Sequence, residues 1–324
     1  MDRRRRRFLE LAAGAAGLAA CSSALRAQAY PSRTVRLILG YAPGAAPDIV
    51  ARLAAQWLSE RLGQQFFVDN RPGAGSNIGT EAVVRARPDG YTLLYGTTAN
   101  ATNATLYENL SFDFIRDIAP VGGVVRLPNL ITVGPRVPVK SLAELIAYAK
   151  TNPGKLNYGA ANGGMVQLSA ELFKMMAGVN IIHVPYRGQA QATTDLMSGQ
   201  MQVSFDVMPT TIGYVRGGAL RALAVTTATR NEALPDIPAV AEFVTGYEAS
   251  AWHGLGAPKG APAQIIDRLN KAITAALADP QNQKRLADVG GVAMPMSPAE
   301  FGQFVAEETQ KWAKVIKFAG AKID

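Results

Sequence analysis

Only one cysteine, Cys21, and two histidines, His183 and His253, occur in the 324 residues. Cys21 lies in the leading segment, so the rest of the chain forms no disulfide and offers no thiol nucleophile. A metal site there would need oxygen ligands alone, and no clustered Asp/Glu pattern supplies them, so neither metal nor cofactor is expected. Catalytic signatures are absent too: no Gly-x-Ser-x-Gly elbow, no Gly-Lys-Ser/Thr phosphate loop and no His-Glu-x-x-His. Gly73-Ala74-Gly75-Ser76-Asn77-Ile78-Gly79 approaches a dinucleotide fingerprint. Its third glycine falls one position late, and it does not follow the first strand of a βαβ unit. Both histidines sit in apolar, strand-like runs and read as core or hinge residues rather than bases.

The start of the chain has a different composition. Arg3 to Arg7 are followed by an apolar stretch from Phe8 to Ala20 broken only by Glu10, too short to span a bilayer. A basic region, a short apolar region and small residues describe an export signal over residues 1–29, and Arg5-Arg6-Arg7-Phe8-Leu9 resembles the twin-arginine pattern. Two processing sites compete. Ala27-Gln28-Ala29 before Tyr30 predicts release of a soluble protein, whereas Leu18-Ala19-Ala20-Cys21 resembles a lipobox that would anchor the chain through an acylated Cys21. Release into the periplasm is the favoured expectation. Residues 1–29 hold six of the 33 basic and two of the 25 acidic residues, so the remaining 295 carry 27 against 23, or +4. That is ordinary solubility with a mild attraction for anions, not a nucleic-acid footprint.

Beyond residue 29, apolar runs of four to six residues alternate with amphipathic stretches, the pattern of an α/β protein with largely parallel sheets. Strands are expected at Val35–Leu39, Phe66–Val68, Thr92–Tyr95, Leu130–Val133, Ile181–Val184, Val203–Phe205, Leu220–Val225 and His253–Ala257. Helices are expected from Ile49 to Leu62, over Leu142–Thr151, Met165–Ala177, Ala190–Met197 and Pro262–Ala278, and from Pro298 through Ile316. Their apolar stripes read as core.

Two distant stretches share one design. Val35–Leu39 runs into Tyr41-Ala42-Pro43-Gly44-Ala45-Ala46-Pro47-Asp48 and a helix; Lys155–Tyr158 runs into Gly159-Ala160-Ala161-Asn162-Gly163-Gly164-Met165 and a helix. Each loop leaves backbone N–H groups free at a helix N-terminus, where the summed peptide dipoles favour negative charge. Two such ends facing each other would grip a small anion.

At Tyr41-Ala42-Pro43-Gly44 through Asp48-Ile49-Val50-Ala51-Arg52 the chain resembles the Bug family of periplasmic solute receptors, the binding components of tripartite tricarboxylate transporters. The resemblance continues through Asn70-Arg71-Pro72-Gly73-Ala74-Gly75, Pro88-Asp89-Gly90-Tyr91-Thr92-Leu93, His183-Val184-Pro185-Tyr186-Arg187-Gly188, Leu220–Val225 and Leu234-Pro235-Asp236-Ile237-Pro238. It implies an α/β, type II periplasmic-binding-protein fold: two α/β lobes joined by a twice-crossed hinge, with the ligand cleft between them. Residues 30–130 and 226–324 would form lobe 1 and residues 131–225 lobe 2. It also implies a non-catalytic, monomeric receptor for a small carboxylate, with a membrane transporter component as partner.

Ligand-binding candidates follow from the same resemblance. They are Tyr41, Gly44, Ala45, Ala46 and Asp48 in the first loop, and Ala160, Asn162, Gly163, Gly164 and Met165 in the second. Thr97, Thr98, Ala99, Pro185, Tyr186, Arg187, Gly188 and Asp206 follow strand ends. Asp48 could instead stabilise a helix N-terminus, and Arg187 could be a surface ion-pairing residue. The family's Gly-Gly pair and hydroxyl residue in the first loop are replaced by Ala45 and Pro47. In the second loop Gly164, Met165 and Gln167 stand where a Ser and a His are usual. These departures imply a more apolar pocket, suited to an aromatic or partly apolar carboxylate as well as to a simple one. An exported hydrolase and a ligand sensor for a signalling partner are the rival readings.

Overall fold

The computed structural model of the chain describes residues 30–186 and 188–323; residues 1–29, where an export signal is expected, Arg187 and Asp324 lie outside the described residues. Two clusters of strands, joined by one long strand, organise everything else. In the first, β1 (Val35–Leu39), β2 (Phe66–Asn70) and β3 (Thr92–Thr97) run parallel in the order β2-β1-β3. In the second, β5 (Asn157–Ala160), β6 (Ile182–Pro185) and β7 (Val203–Val207) run parallel in the order β7-β5-β6.

The long strand is β4 (Ile118–Val133). Its first part, Ile118 to Pro128, pairs antiparallel with β9 (Ser250–Pro258), which lies beside β3. Its last part, from Asn129 to Val133, pairs antiparallel with β7 and with β8 (Arg221–Val225). The change of partner falls between Pro128 and Asn129, where Thr226 and Ala249 also meet: Thr226 donates to the Asn129 carbonyl at 3.0 Å and Ala249 to the Thr226 carbonyl at 2.9 Å. A short β10 (Val292–Ala293) borders β4 on its outer side. Pattern reading located only Leu130–Val133 of β4, because Pro120, Gly122, Gly123 and Pro128 interrupt its apolar run. The antiparallel β4–β9 pair is also what the expectation of largely parallel sheets omitted.

The helices are α1 (Ala46–Leu62), α2 (Asn77–Val84), α3 (Thr98–Leu106), α4 (Phe114–Asp117), α5 (Leu142–Thr151) and α6 (Met165–Ala177). Then come α7 (Gln189–Ser198), α8 (Met208–Arg216), α9 (Ala263–Leu277), α10 (Pro280–Asp288) and α11 (Pro298–Ala319). Glycines in the left-handed region, Gly63 and Gly178, end α1 and α6, as αL caps do. Ser297 and Glu300 form a capping box ahead of Pro298 at the start of α11.

Each strand cluster has its own core. One gathers Leu37, Leu39, Trp57, Leu58, Leu93, Leu255, Leu269 and Ile273; the other gathers Ile131, Tyr158, Leu168, Phe173, Phe205 and Tyr247. Helix α11, about 33 Å long at 1.5 Å per residue, joins a smaller third cluster around Trp252 to the second of these cores. Phe301 and Phe304 near its start pack edge-on against Trp252 of β9, while Trp312, Val315 and Ile316 lie in the core with Phe173 and Tyr247.

That seating depends on a glycine. A Cβ on Gly254 of β9 would stand 2.2 Å from the Phe301 ring and 2.9 Å from the Gly122 carbonyl. Gly254→Ala is therefore expected to lower unfolding stability by about 1 to 3 kcal/mol through overpacking. Gly213→Ala, in open space within α8, should raise it by about 0.5 to 1 kcal/mol. Urea unfolding of the two variants checks both signs.

Candidate functional site

The two glycine loops fold as local copies of each other. Gly44 and Gly163 both have positive φ, +80° and +70°. Each is followed by an extended N-cap residue, Ala45 (φ −67°, ψ 156°) and Gly164 (φ −74°, ψ 157°). Those residues donate to the carbonyls of Ala42 and Ala161, both at 3.2 Å. The correspondence extends to side chains. The Gly44 N–H donates to Asp48 Oδ2 at 2.9 Å, and the Gly163 N–H donates to Gln167 Oε1 at 2.6 Å. In both loops the residue four positions on satisfies the left-handed glycine.

Each acceptor is itself held. Asp48 also receives Arg52 Nε at 2.8 Å and Asn70 Nδ2 at 2.9 Å. Burial pushes the Asp48 carboxyl up, but these donors together outweigh it and hold it below the usual carboxylate range. Gln167 Nε2 donates to His183 Nδ1 at 3.2 Å, and His183 Nε2 donates to the Ala160 carbonyl at 3.0 Å. This relay fixes both the amide orientation and the imidazole tautomer.

What the loops leave free differs. In α1, Pro47 has no N–H and Asp48 donates back to the Ala45 carbonyl at 2.9 Å, so Ala46 supplies the one first-turn amide without a partner among the described residues. In α6, the amides of Met165, Val166 and Gln167 all lack a partner among the described residues. The second loop is therefore the stronger anion end.

Between the loops lies a cleft of about 330 Å³. Its walls include Tyr41, Ala46 and Pro47 from the first loop and Asn162, Gly163, Gly164 and Met165 from the second. Thr97, Thr98, Ala99, Thr102, Asn103 and Leu106 of α3 run along it, with Gly75, Leu127, Val207, Ala251, His253 and Ile323 completing the lining. The starts of α1, α3, α6 and α8 thus converge on one space. No Lys, Arg, Asp or Glu is among these lining residues. His253 is neutral: burial pushes its pKa down to about 3, and Tyr95 Oη lies 3.2 Å from its Nδ1. A second, apolar crevice lined by Trp252, Phe114 and Phe301 holds only about 40 Å³ and is too small for a metabolite.

Of the residues singled out by sequence, Tyr41, Ala46, Thr97, Thr98, Ala99, Asn162, Gly163, Gly164 and Met165 line the cleft. Gly44, Ala45, Asp48, Ala160, Pro185, Tyr186, Gly188 and Asp206 do not; Arg187 lies outside the described residues. Asp48 is spent on its own loop, and Tyr186 donates to Asp195 at 2.5 Å. His253, read from sequence as core or hinge, is buried and yet forms part of the cleft wall.

Helix α3 was missed because its sequence, Thr-Ala-Asn-Ala-Thr-Asn-Ala-Thr-Leu, has no apolar stripe. Hydrogen bonds seat it instead: Asn100 Nδ2 donates to Thr80 at 2.7 Å, and Asn103 Nδ2 donates to Gly75 O and Asn77 Oδ1, both at 2.7 Å. The rejected dinucleotide-like run makes the other side of this contact. Gly73, Ala74, Gly75 and Ser76 all have positive φ, and Gly79 brings α2 against Gly40, where a Cβ would lie 3.2 Å from the Gly40 Cα.

Residues 50–321 match the family described as the tripartite tricarboxylate transporter family receptor. The chain belongs to that family. It is 35% identical over 314 residues to protein BugT of Bordetella pertussis, covering 95% of each chain. Two solved structures resemble it at full length. R. palustris Rpa4515 with adipate is 38% identical over 91% of this chain and 100% of its own, with a TM-score of 0.77. MatC of Rhodopseudomonas palustris with bound malate is 30% identical over 89% of this chain and 100% of its own, with a TM-score of 0.72. These receptors share the two-lobed, type II-like fold, so family and fold agree with the resemblance read from the sequence motifs.

Asp206, at the end of β7, is buried behind Val207, whose N–H it accepts at 2.7 Å. Burial raises its carboxyl pKa from 3.8 to about 6. The folded state therefore prefers the protonated form, and this contribution to stability, full below pH 4, is lost as pH rises through 6. Asp206→Asn, neutral at every pH, should gain up to about 2 to 3 kcal/mol on the native protein between pH 4 and pH 8. Thermal melts across that range check it; parallel curves would show that Asp206 ionises normally.

Proposed function

We propose that this protein is an exported receptor that encloses a small carboxylated metabolite between its two lobes and presents it to the membrane component of a tripartite tricarboxylate-type transporter. One observation carries the reading: several helix N-termini open onto a cleft whose described lining contains no ionised side chain. Each helix start carries about half a positive charge, and the α6 amides lack internal partners, so an anion supplies both the charge and the acceptors the site lacks. Relatives solved with adipate and malate agree with that chemistry.

Binding rather than catalysis is further supported by His253. It is the cleft's one histidine among the described residues, it is neutral, and its neighbour is Tyr95 rather than a nucleophile. Among the described residues no helix is long and apolar enough to cross a membrane. Processing before Tyr30 would place the receptor free in the periplasm. Intact mass from the native host should match an unmodified chain starting at Tyr30; a diacylglyceryl group on Cys21 would move it to a membrane surface.

Gly164 gives the sharpest test of the amide site. It is the N-cap of α6, its φ of −74° suits any residue, and a Cβ there meets only Ala161, its carbonyl at 3.3 Å and its Cβ at 3.9 Å. An aspartate at this position would cap the Val166 and Gln167 amides itself, standing in for the ligand's carboxylate. Gly164→Asp should therefore melt no lower than wild type, yet bind carboxylates roughly tenfold to several thousandfold more weakly, as one or two charge-assisted hydrogen bonds are lost. Gly164→Ala adds bulk without a cap and should lose much less. Calorimetry that finds native affinity in the folded Gly164→Asp protein would remove the α6 amides from the site.

A further inference from the structure

After α11, residues 320–323 fold back onto the molecule. Gly320, at φ +61°, stops the helix, and Ala321 donates back to the Ile316 carbonyl at 3.2 Å. The next residues turn towards the cleft. The Ile323 N–H donates to the Leu106 carbonyl at 3.2 Å, and Lys322 Nζ lies 3.0 Å from Glu108 Oε1. These contacts place the Ile323 side chain in the cleft wall, against the bare Cα of Gly163. A Cβ on Gly163 would stand 2.6 Å from Ile323 Cδ1 and 3.2 Å from Leu106 Cδ1. The exposed Lys322–Glu108 pair contributes little. The backbone bond and the apolar contact fix the position.

The course of α3 gives this position a meaning. Thr98, Ala99, Thr102, Asn103 and Leu106 all face the cleft, so the cleft extends along α3 for about 12 Å, eight residues at 1.5 Å each. It begins at the threonines and the first loop and reaches Leu106 and Ile323. The first end offers hydroxyls and the Ala46 amide, and at the far end the methyl groups of Leu106 and Ile323 border the α6 loop with its three amides unpartnered among the described residues.

We propose that Ile323 is a specificity-determining residue: its side chain closes the Leu106 end of the cleft and so limits the length and bulk of the apolar body a bound carboxylate can carry. This rests on the carboxylate reading above and adds a length limit to it. A carboxylate held on the α6 amides stands beside Gly163, so an apolar body that extends from it towards Leu106 meets the Ile323 side chain. Removing that side chain opens the space over Gly163 and Leu106; enlarging it shortens the cleft. Each methylene gained or lost by burial changes affinity about fourfold, equivalent to about 0.8 kcal/mol.

The test measures affinity by calorimetry for straight-chain mono- and dicarboxylates of increasing length, with wild type, Ile323→Ala and Ile323→Trp. Thermal melting verifies that each variant is folded. Ile323→Ala should move the preferred length up by one or two methylenes, a fourfold to roughly fifteenfold change in the ratio of long to short ligands. Ile323→Trp should move it down; if that variant does not fold, Ile323→Ala alone decides. An unchanged length profile in folded Ile323→Ala, with wild type binding, overturns the role of Ile323 and leaves the receptor reading intact. If wild type binds no member of either series, the carboxylate reading fails and the role of Ile323 fails with it.

Discussion

A helix begins with amide groups that it cannot satisfy by itself, and this fold brings several such beginnings into one space. That constraint organises the site. The parallel strands β1, β3 and β5 each end in a turn that opens α1, α3 and α6, and β7 does the same for α8. Because β4 runs through both strand clusters, these strand ends lie on the two sides of a single cleft. Among the described lining residues no charged side chain offsets the helix ends, and the one imidazole, His253, is kept neutral by burial. The result is a positive potential made entirely from backbone.

The paired loops show how the fold controls which amides remain available. Turning sharply enough to start α1 and α6 requires a left-handed residue, and glycine adopts that conformation without the steric cost of a Cβ. The turn points the glycine's own N–H back into the loop, and each loop supplies an internal acceptor for it, Asp48 or Gln167. The difference between those two acceptors has consequences. Asp48 brings a negative charge beside the α1 start, partly neutralised by Arg52, while Gln167 brings none to α6. With Pro47 removing a further donor, the first loop is the weaker electrostatic partner and the second the stronger. An anion that can reach only one loop therefore favours the second.

The parts legible in the sequence were those with a periodic apolar signal or a glycine turn. Met165–Ala177 and Leu142–Thr151 appear at the expected bounds because their stripes face a core and Gly178 or Asn152 follows them. The glycine loops were recognisable as helix starts, yet their side-chain roles were not: nothing in the spacing shows that Asp48 turns back onto Gly44. Helix α3 was invisible because it is seated by asparagine and threonine hydrogen bonds rather than by a stripe. Most of the cleft residues that sequence missed belong to it or to elements meeting it. Leu127 and Ala251 lie on paired strands, and Ile323 reaches Leu106 from more than 200 positions away in the chain. Such juxtapositions depend on tertiary topology and carry no local signal.

Recognition by backbone has a further consequence for how such a cleft acquires its ligand. Short of a proline, as at Pro47, no change of side chain removes a peptide amide, so an anion-holding site of this kind survives most substitutions around it. Discrimination then falls to the walls, and here these are small or apolar over much of their area: Ala46, Ala99, Leu106, Leu127, Met165, Val207, Ala251 and Ile323. A wall methyl group discriminates modestly, about one to three kcal/mol per ligand methylene gained or lost, whereas an unsatisfied buried hydroxyl rejects a partner far more strongly. On the receptor reading proposed above, Tyr41, Thr97, Thr98 and Asn162 would distinguish ligands by their polar groups, and the apolar wall would distinguish them by size. Charge selection, polar selection and size selection would thus reside in three separate sets of atoms: backbone amides, wall hydroxyls and amide side chains, and wall methyl groups.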